Sequence, residues 1–364
     1  MTVVAVIFGG RSSEHEISCI SAGGILRALD PTRYQALPIG VTKDGRWVLQ
    51  PVDPTRLVAR DGQLPTVVAD GPSVELVNDA SAPSLRIEGR GRVPVDVAFP
   101  VLHGPWGEDG TVQGALETAG LPFVGSGVGA SALCMDKGLM KVMLQQAGLP
   151  TGPSLLVTDQ QWLADPVAIL QQARSLGERL FVKPARAGSS LGITLVDDST
   201  DEYLRAAIEL ARQHDPRVII EAAITPMREV ECAVIVEAQA PYRPKASVCS
   251  EIVVRQAHRF YDFAAKYLED AADLHVPADL PAHVAQRVQS LATQAFAALG
   301  CEGLARVDFF VRPDGSVLIN ELNTMPGFTP ISMFPRMWQA SGLDYPALVD
   351  HLIVDALRRG IRLR

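Results

Sequence analysis

Four polar residues near the C-terminus of this 364-residue chain have the spacing of a metal-binding or catalytic group. Arg306 and Asp308 lie in one apolar run, Glu321 and Asn323 lie in the next, and a Pro-Asp-Gly-Ser turn signal separates the runs. This pattern predicts a β-hairpin, and side chains two positions apart on a strand share a face. We therefore expect two carboxylates, an amide and a guanidinium on one patch.

The predicted register depends on the turn. A turn symmetric about Asp314 and Gly315 sets Asp308 opposite Glu321, whereas one extra residue would slip the register and separate the carboxylates. Directly opposed like charges cost free energy unless a cation lies between them. Carboxylate and amide oxygens suit Mg²⁺ better than zinc, so these two carboxylates and Asn323 are candidate magnesium ligands. The alternative is a surface hairpin with ordinary charged pairs.

The composition of the whole chain indicates a globular, multidomain protein. Hydrophobic residues make up 47% of the chain and charged residues 20%, and its length favours about two or three domains. A net charge of −8 argues against nucleic-acid or membrane-surface binding. Scattered cysteines, no basic leader and no bilayer-length apolar run predict a cytoplasmic protein with reduced thiols.

The N-terminal elements predict an open α/β sheet with ligand sites at its edge. Residues 3–8 form a β-branched run typical of a buried parallel strand, and a glycine pair then leads into a helix over 17–29. Glu14 follows this turn, where such sheets place ligands, and could receive an ammonium group. The alternative is that Ser13 caps the helix while Glu14 and Glu16 favour its N-terminal dipole.

A second buried strand is predicted over 95–102, and it ends in a glycine-rich loop that contains His103. Such a loop at the C-terminal end of a strand indicates another ligand edge. Taken singly, His15 and His103 are more typical of structural histidines. Between these strands, the turn signal at 43–46 and the segments up to residue 93 predict a small antiparallel elaboration.

The segment from Gly125 to Ala130 matches the dinucleotide-binding pattern G-x-G-x-x-A. A nicotinamide or flavin site also needs an acidic residue at the end of a strand about 20 residues later. Leu149-Pro150-Thr151-Gly152 occupies that place. The segment is therefore interpreted as a turn that leads into a helix at a domain boundary.

A small-residue loop at 185–192 joins two predicted strands in the middle of the chain. Its backbone N–H groups and serine hydroxyls could cradle phosphates, although a plain flexible hairpin fits this loop equally well. In a chain poor in lysine, Lys137 and Lys183 sit where a nucleotide site would use a point charge. The polar, aromatic segment 256–267 could close over a site, or it could be an exposed connection.

Five segments together resemble the D-alanine–D-alanine ligases of the ATP-grasp superfamily, and the resemblance covers nearly the whole chain. Each motif is weak alone, but their order along the chain is that of the family. The segments are Phe8–Ser18, Leu102–Gly110, Lys183–Gly192, Phe260–Tyr267 and Asn320–Gly327.

The resemblance implies an α/β, three-domain ATP-grasp fold with an N-terminal open parallel-sheet domain. The expected domains span 1–126, 127–221 and 222–364, and ATP is expected between the last two. The implied reaction joins two D-alanines through a D-alanyl phosphate, for peptidoglycan synthesis. The implied cofactors are ATP with two Mg²⁺ or Mn²⁺ ions, with K⁺ as an activator, and the implied assembly is a homodimer.

The resemblance also implies a role for individual residues of this chain. Catalysis is assigned to Glu14, Ser189 and Arg306, and metal binding to Asp308, Glu321 and Asn323. ATP is expected to contact Lys137, Lys183, Ser190, Glu221, Glu229, Lys266 and Asn320. The two D-alanines are expected to contact His103, Tyr267, Gly327, Ser332 and Met333.

Two departures from the family pattern are mild. Ala222 stands where some relatives carry lysine beside the adenine, and Met333 replaces a common leucine. By resemblance, Tyr267 favours D-alanine over D-lactate as the second substrate. The alternatives are a ligase for another acceptor such as D-lactate, and a non-catalytic nucleotide-binding scaffold. The presence of Arg306 together with Asp308, Glu321 and Asn323 argues against the scaffold, because a protein that only binds a nucleotide does not need an oxyanion-stabilising arginine beside two metal ions.

Overall fold

The computed structural model describes residues 1–60, 62–188, 191–254 and 272–361. The strands are β1 (Thr2–Gly9), β2 (Tyr34–Val41), β3 (Trp47–Leu49), β4 (Val74–Val77), β5 (Ser84–Ile87), β6 (Gly91–Pro94), β7 (Val97–Pro100), β8 (Ser154–Thr158), β9 (Leu180–Pro184), β10 (Thr194–Val196), β11 (Arg217–Ala222), β12 (Arg228–Val236), β13 (Pro244–Val254), β14 (Ala272–His275), β15 (Leu304–Val311) and β16 (Val317–Asn323). The helices are α1 (His15–Ala28), α2 (Thr111–Thr118), α3 (Val128–Met135), α4 (Lys137–Gln146), α5 (Asp159–Ala164), α6 (Pro166–Ser175), α7 (Asp201–Arg212), α8 (Ala282–Ala298), α9 (Met333–Ala340) and α10 (Tyr345–Arg359).

The N-terminal sheet has the order β3-β2-β1-β7, and β1 pairs in parallel with both β2 and β7. The β1 side chains alternate between two cores. Val4, Val6 and Phe8 join a cluster that includes α9 and α10, while Ala5 and Ile7 face the other side. A strand buried on both faces explains the continuous apolar run, so the predicted parallel sheet is confirmed.

The segment between β2 and β7 contains the predicted antiparallel elaboration. The chain turns back through residues 42–46 into β3, and β4, β5 and β6 form a separate three-stranded sheet. Asp44 closes the turn by pairing with Arg46 at 2.9 Å. Both parts of that prediction are confirmed.

The turn at Gly125 leads into a helix, as predicted. Gly125 has a left-handed φ of 101°, and a side chain at Gly303 would come within 3.0 Å of the Gly125 backbone nitrogen. Gly127 then caps α3, which begins at Val128. These glycines are explained by backbone packing and helix entry, without a dinucleotide.

The central antiparallel sheet has the order β10-β9-β11-β8 and packs against α5, α6 and α7. Two short helices connect β8 to β9, because Asp165 ends α5 and caps α6 before Pro166. Residues of α3 and α4 pack against the C-terminal sheet instead. Where the domain boundaries fall remains a prediction.

The C-terminal antiparallel sheet has the order β14-β13-β12-β15-β16, with the predicted hairpin at its edge. Arg306 pairs with Asn323 and Asp308 with Glu321, as predicted. The turn itself differs from the symmetric prediction. The Arg312 N–H donates to the Ser316 carbonyl oxygen, and Gly315 takes a φ of 79°. This three-residue loop shifts the register by one position.

A β-bulge at Asn320 restores the register. Phe309 pairs with Ile319, whereas the preceding Asp308 pairs with Glu321, so Asn320 is the extra residue. A bulge places two residues of one strand against one of its partner. The predicted pairing of Asp308 with Glu321 is therefore correct although the predicted turn is wrong, because the bulge cancels the shift that the turn introduces.

None of the described helices is long and apolar enough to cross a lipid bilayer.

Candidate active site

One cleft of about 1120 Å³ is lined by the site residues that were predicted from the sequence. This volume can hold a nucleotide together with small substrates. Every predicted site residue that the structure describes lines it: Glu14, His103, Lys137, Lys183, Glu221, Glu229, Arg306, Asp308, Asn320, Glu321, Asn323, Gly327, Ser332 and Met333. Ser189, Ser190, Lys266 and Tyr267 lie outside the described residues, as does the predicted closing segment 256–267.

A row of three acidic residues crosses adjacent strands on the cleft side of the C-terminal sheet. Glu231 on β12 is opposite Asp308 on β15, which is opposite Glu321 on β16. Arg306 lies beside this row, with its Nε 2.7 Å from Asp308 Oδ1 and 3.1 Å from Glu231 Oε1. Burial alone would lower the pKa of Arg306, but the neighbouring carboxylates raise it well above its usual range. The guanidinium therefore stays charged inside the cleft.

Each candidate metal ligand has a polar partner beside it. Asn323 Nδ2 donates to Asp308 Oδ2 at 3.1 Å, and Lys137 Nζ lies 3.2 Å from Glu321 Oε2. Burial opposes the charge of Lys137, but Glu321 and other carboxylates raise its pKa. Lys137 beside Glu321 and Arg306 beside Asp308 thus supply the positive charge that the two opposed carboxylates require.

The donor set fits magnesium bound together with phosphates. Within the described ranges, no group of three or more histidine, cysteine, aspartate or glutamate side chains is arranged to hold a metal ion. Two carboxylates and one amide are fewer donors than an all-protein site needs. Mg²⁺ commonly takes one or two carboxylates and completes its shell with water and substrate phosphate oxygens. Asp308, Glu321 and Asn323 match that arrangement.

A buried triad of charges forms another wall of the cleft. Glu221 at the end of β11 lies 2.7 Å from Lys141 and 2.6 Å from Lys183. Burial alone would raise the pKa of Glu221, but the two lysines lower it well below its usual range. Glu221 was expected to contact ATP, and that role remains a prediction. Lys141 was not predicted to belong to the site, because its position in α4 looks like that of any helical lysine.

Glu14 points into the cleft from the start of α1. The helix has Glu14 at its N-cap, without a side-chain hydrogen bond, and Ser13 is exposed, so the predicted Ser13 cap is wrong, whereas Glu16 does lie in the first turn. A side chain at Gly188 would come within 2.5 Å of Glu14 Oε2, and one at Gly104 within 2.8 Å. The central loop and the N-terminal sheet therefore meet at this carboxylate, and only glycine allows so close an approach.

The two histidines near Glu14 hold loops in place. His15 bonds the Gly10 carbonyl through Nδ1 at 2.7 Å and accepts from the Val67 amide at 3.0 Å, which confirms its structural interpretation. His103 Nδ1 lies 3.0 Å from the Met325 carbonyl oxygen, and its Nε2 lies 3.3 Å from Ser21 Oγ. Burial lowers the pKa of His103 although Glu14 opposes this. A neutral His103 thus joins the N-terminal sheet to the segment after β16.

The segment after β16 carries the candidate acceptor site. Ser332 Oγ lies 2.7 Å from Thr329 Oγ1 and accepts from the Thr329 amide at 3.1 Å. A side chain at Gly327 would approach Ser332 Oγ to 3.2 Å. Met333 is buried at the start of α9, a helix that the sequence analysis did not predict. This segment thus places the Ser332 hydroxyl beside the backbone of Gly327, which has no side chain.

Glu108, which was not among the predicted site residues, lies in the glycine-rich loop and lines the cleft. Its Oε2 is buried and accepts no hydrogen bond from the described part of the chain. Burial, with Glu14 nearby, raises the pKa of Glu108 to about 8. The Gly-Glu-Asp-Gly motif predicts a ligand-binding loop, but it does not indicate that the glutamate is protonated near neutral pH.

The raised pKa predicts that Glu108→Gln stabilises the ligand-free protein increasingly as pH rises. The unfolded glutamate ionises near pH 4.5 but the folded one near pH 8, so the wild type loses stability across that window. We expect the variant's advantage to grow by roughly 3–4 kcal/mol from about pH 5 to pH 8. Urea unfolding with a chelator measures it. Glu75→Gln is the control, since Glu75 is 68% exposed, and a pH-independent advantage would refute the prediction.

Comparison with known proteins identifies relatives of the entire chain. Residues 3–126 match the family model described as D-ala D-ala ligase N-terminus, and residues 143–354 match D-ala D-ala ligase C-terminus. A D-alanine--D-alanine ligase from Arthrobacter sp. (strain FB24) is 52% identical over 368 residues, covering 99% of this chain and 95% of the relative.

Solved structures are similar over the same extent. The D-alanine-D-alanine ligase from Coxiella burnetii has 35% identity and a TM-score of 0.82, covering 98% of this chain and 94% of that one. A D-Ala:D-Ser ligase from Enterococcus faecalis has 35% identity and a TM-score of 0.84, covering 98% of this chain and 99% of that one. The two structures share the fold although their named acceptors differ.

Proposed function

The chain belongs to the D-alanine–D-alanine ligase family, and from this premise we propose how its cleft performs the reaction. The enzyme is an ATP-dependent ligase that joins two D-alanines for peptidoglycan synthesis. We assign ATP and two Mg²⁺ or Mn²⁺ ions to the side of the cleft formed by β15 and β16. The observation that carries this assignment is the pairing of Asp308 with Glu321, flanked by Arg306 and Asn323.

We further propose the domain division 1–126, 127–221 and 222–364, a homodimer, a cytoplasmic location and activation by K⁺. The cytoplasmic location is supported by the five cysteines, which are all free thiols in the structure. The β11 strand ends at Ala222, beside the proposed second boundary. In this division the nucleotide lies between the central and C-terminal sheets.

The substrate amino groups and carboxylates are proposed to occupy opposite ends of the site. Glu14 receives the ammonium group of the first D-alanine, with His103 beside it, because this buried carboxylate faces the cleft. Ser332 binds the carboxylate of the second D-alanine through its hydroxyl. Met333 packs beside this acceptor position. The two amino acids are thereby held with the amine of one near the carboxyl carbon of the other.

The chemical step needs charge stabilisation more than covalent participation by the protein. ATP phosphorylates the first carboxylate, the second amine attacks the acyl phosphate, and phosphate leaves the tetrahedral intermediate. Arg306 and the Gly327 N–H are proposed to stabilise the oxyanion. Asp308, Glu321 and Asn323 would hold the metal ions, which neutralise phosphate charge when bound.

The remaining contacts surround the nucleotide. Lys137 and Lys183 are proposed to meet phosphates, and Glu221, Glu229 and Asn320 to contact the rest of ATP. Ser190 and Lys266 are assigned to the same nucleotide, and Ser189 and Tyr267 to the closing of the site over Glu14. These last four residues lie outside the described ranges, so their assignment rests on the family motifs.

Phosphate release tests the reaction and its acceptor. With ATP and Mg²⁺, we expect D-alanine alone to release phosphate, with one dipeptide formed per phosphate. Parallel assays add D-lactate or D-serine to D-alanine, since a similar structure is named for D-serine. Release only with one of those mixtures would change the acceptor assignment. No release in any mixture, with ATP still bound, would refute the proposed reaction.

A further inference from the structure

Glu231 is a buried carboxylate that has no role in the proposed mechanism. It lies in the middle of β12 and is only 5% exposed. Its neighbours Val230 and Cys232 belong to a hydrophobic core on the other face of the sheet. A carboxylate in such a place costs free energy unless it is paired and hydrogen-bonded. Its partners therefore indicate why it is there.

Both oxygens of Glu231 are held, and one of them is held by the proposed catalytic arginine. Oε1 lies 3.1 Å from Arg306 Nε, and Oε2 accepts from Ser250 Oγ at 3.3 Å. Ser250 is directly opposite Glu231 on β13. Strand β13 thus holds one carboxylate oxygen of Glu231 through Ser250, and the other oxygen contacts the Arg306 guanidinium.

Asp308 has two tasks that compete for the same oxygens. Arg306 Nε and Nη2 donate to Asp308 Oδ1 and Oδ2, each at 2.7 Å. Asn323 adds a third donor at 3.1 Å. A carboxylate that coordinates a metal ion uses these same lone pairs, so metal binding weakens the hold of Asp308 on Arg306. The arginine then needs a second anchor that does not bind metal.

We propose that Glu231 is a positioning residue that keeps the Arg306 guanidinium aimed at the reacting carboxyl group while Asp308 binds the metal. The inference rests on the proposed function, since it assumes that Arg306 stabilises the oxyanion. Glu231 suits the task because it is fixed by Ser250 and already contacts Nε. A fixed guanidinium stabilises the transition state without reorganising during the reaction.

Glu231→Gln tests the inference by separating kcat from KM. The substitution keeps the shape and the hydrogen bond to Ser250 but removes the charge that holds Arg306. We expect kcat to fall about 10-fold to 100-fold, as for a displaced catalytic group. The KM values for ATP and D-alanine should change less than about 3-fold, because these substrates bind through other residues. Glu231→Asp, which keeps the charge, should recover part of the loss.

A binding measurement gives a second readout that does not require turnover. Calorimetry with a dipeptide-like phosphinate, whose tetrahedral phosphorus carries the oxygen assigned to Arg306, should show weaker binding by Glu231→Gln. Binding of ADP should be unchanged. Glu302→Gln is the matched control, because Glu302 also pairs with an arginine, Arg359, at 3.1 Å but outside the cleft. It should alter neither kcat nor phosphinate binding.

The Arg306→Lys background shows whether Glu231 acts through the arginine. In that background, Glu231→Gln should lower kcat less than about 2-fold further, since coupled residues are not additive. An equal loss in both backgrounds would overturn the inference, as would a Glu231→Gln variant that melts earlier but keeps wild-type kcat and phosphinate affinity. A wild-type enzyme that forms no dipeptide would instead refute the proposed function, which keeps the two failures distinguishable.

Discussion

Glu321→Gln is expected to reduce dipeptide formation by at least about 10³-fold at saturating substrates. The amide keeps the size of the side chain but removes the charge that faces Asp308 across the hairpin. A neutral ligand holds Mg²⁺ poorly, and the phosphate charge that develops in the reaction is then less well neutralised. The loss should appear in kcat and should not be recovered by adding D-alanine.

The measurement is coupled phosphate release across a Mg²⁺ titration, with the thermal shift caused by ADP as a second readout. In wild type, the ADP-dependent shift should rise with Mg²⁺, whereas in Glu321→Gln it should become nearly independent of Mg²⁺. Asp314→Asn is the matched control, because Asp314 is in the same hairpin but only bonds Ser316 in the exposed turn. A Glu321→Gln enzyme with more than a tenth of wild-type kcat would contradict the metal assignment.

The hairpin shows how far sequence patterns determine a site. Alternation placed Arg306 with Asp308 and Glu321 with Asn323, and the observed pairing agrees. The bulge was missed although the sequence carries its mark. Asn320 and Glu321 are consecutive polar residues between the buried Ile319 and Leu322, which a regular strand does not allow. A strand with an interrupted polar–apolar alternation, when it pairs with a strand whose alternation is regular, is therefore predicted to contain a bulge.

Local patterns failed where tertiary contacts decide the outcome. The Ser13 cap was reasonable from the sequence, but Glu14 occupies the N-cap position and is buried. Its burial depends on the close approach of Gly188, which is far away in the chain. Glu108 and Glu231 were missed for the same reason, since a carboxylate has no local sign of the charges that surround it.

The buried charges around Glu221 give the second large expected effect. Glu221→Gln is expected to lower the free energy of unfolding by about 3–5 kcal/mol at neutral pH, because breaking a buried pair leaves a charge uncompensated. Lys141 and Lys183 are 5% and 13% exposed in their side chains, and both depend on Glu221. Urea unfolding of the ligand-free protein measures the loss.

The pH dependence of that loss follows from the lowered pKa of Glu221. A carboxylate whose folded pKa lies below its unfolded value stabilises the protein above the unfolded pKa, and this contribution is lost as pH falls through the folded value. The difference between wild type and Glu221→Gln should therefore be full at about pH 7 and shrink below about pH 4.5. A difference that persists unchanged at low pH would contradict the assigned role of the charge.

A double variant separates the missing charge from a poor fit of the new side chain. Glu221→Met alone should be strongly destabilised, because Lys141 and Lys183 both remain buried without their carboxylate. Adding Lys141→Met removes one of the unpaired charges and replaces it with apolar volume, so stability should partly return. Such recovery assigns the loss to buried charge, since a packing defect would grow when a second side chain is replaced. A double variant less stable than Glu221→Met would instead show that packing around the triad dominates.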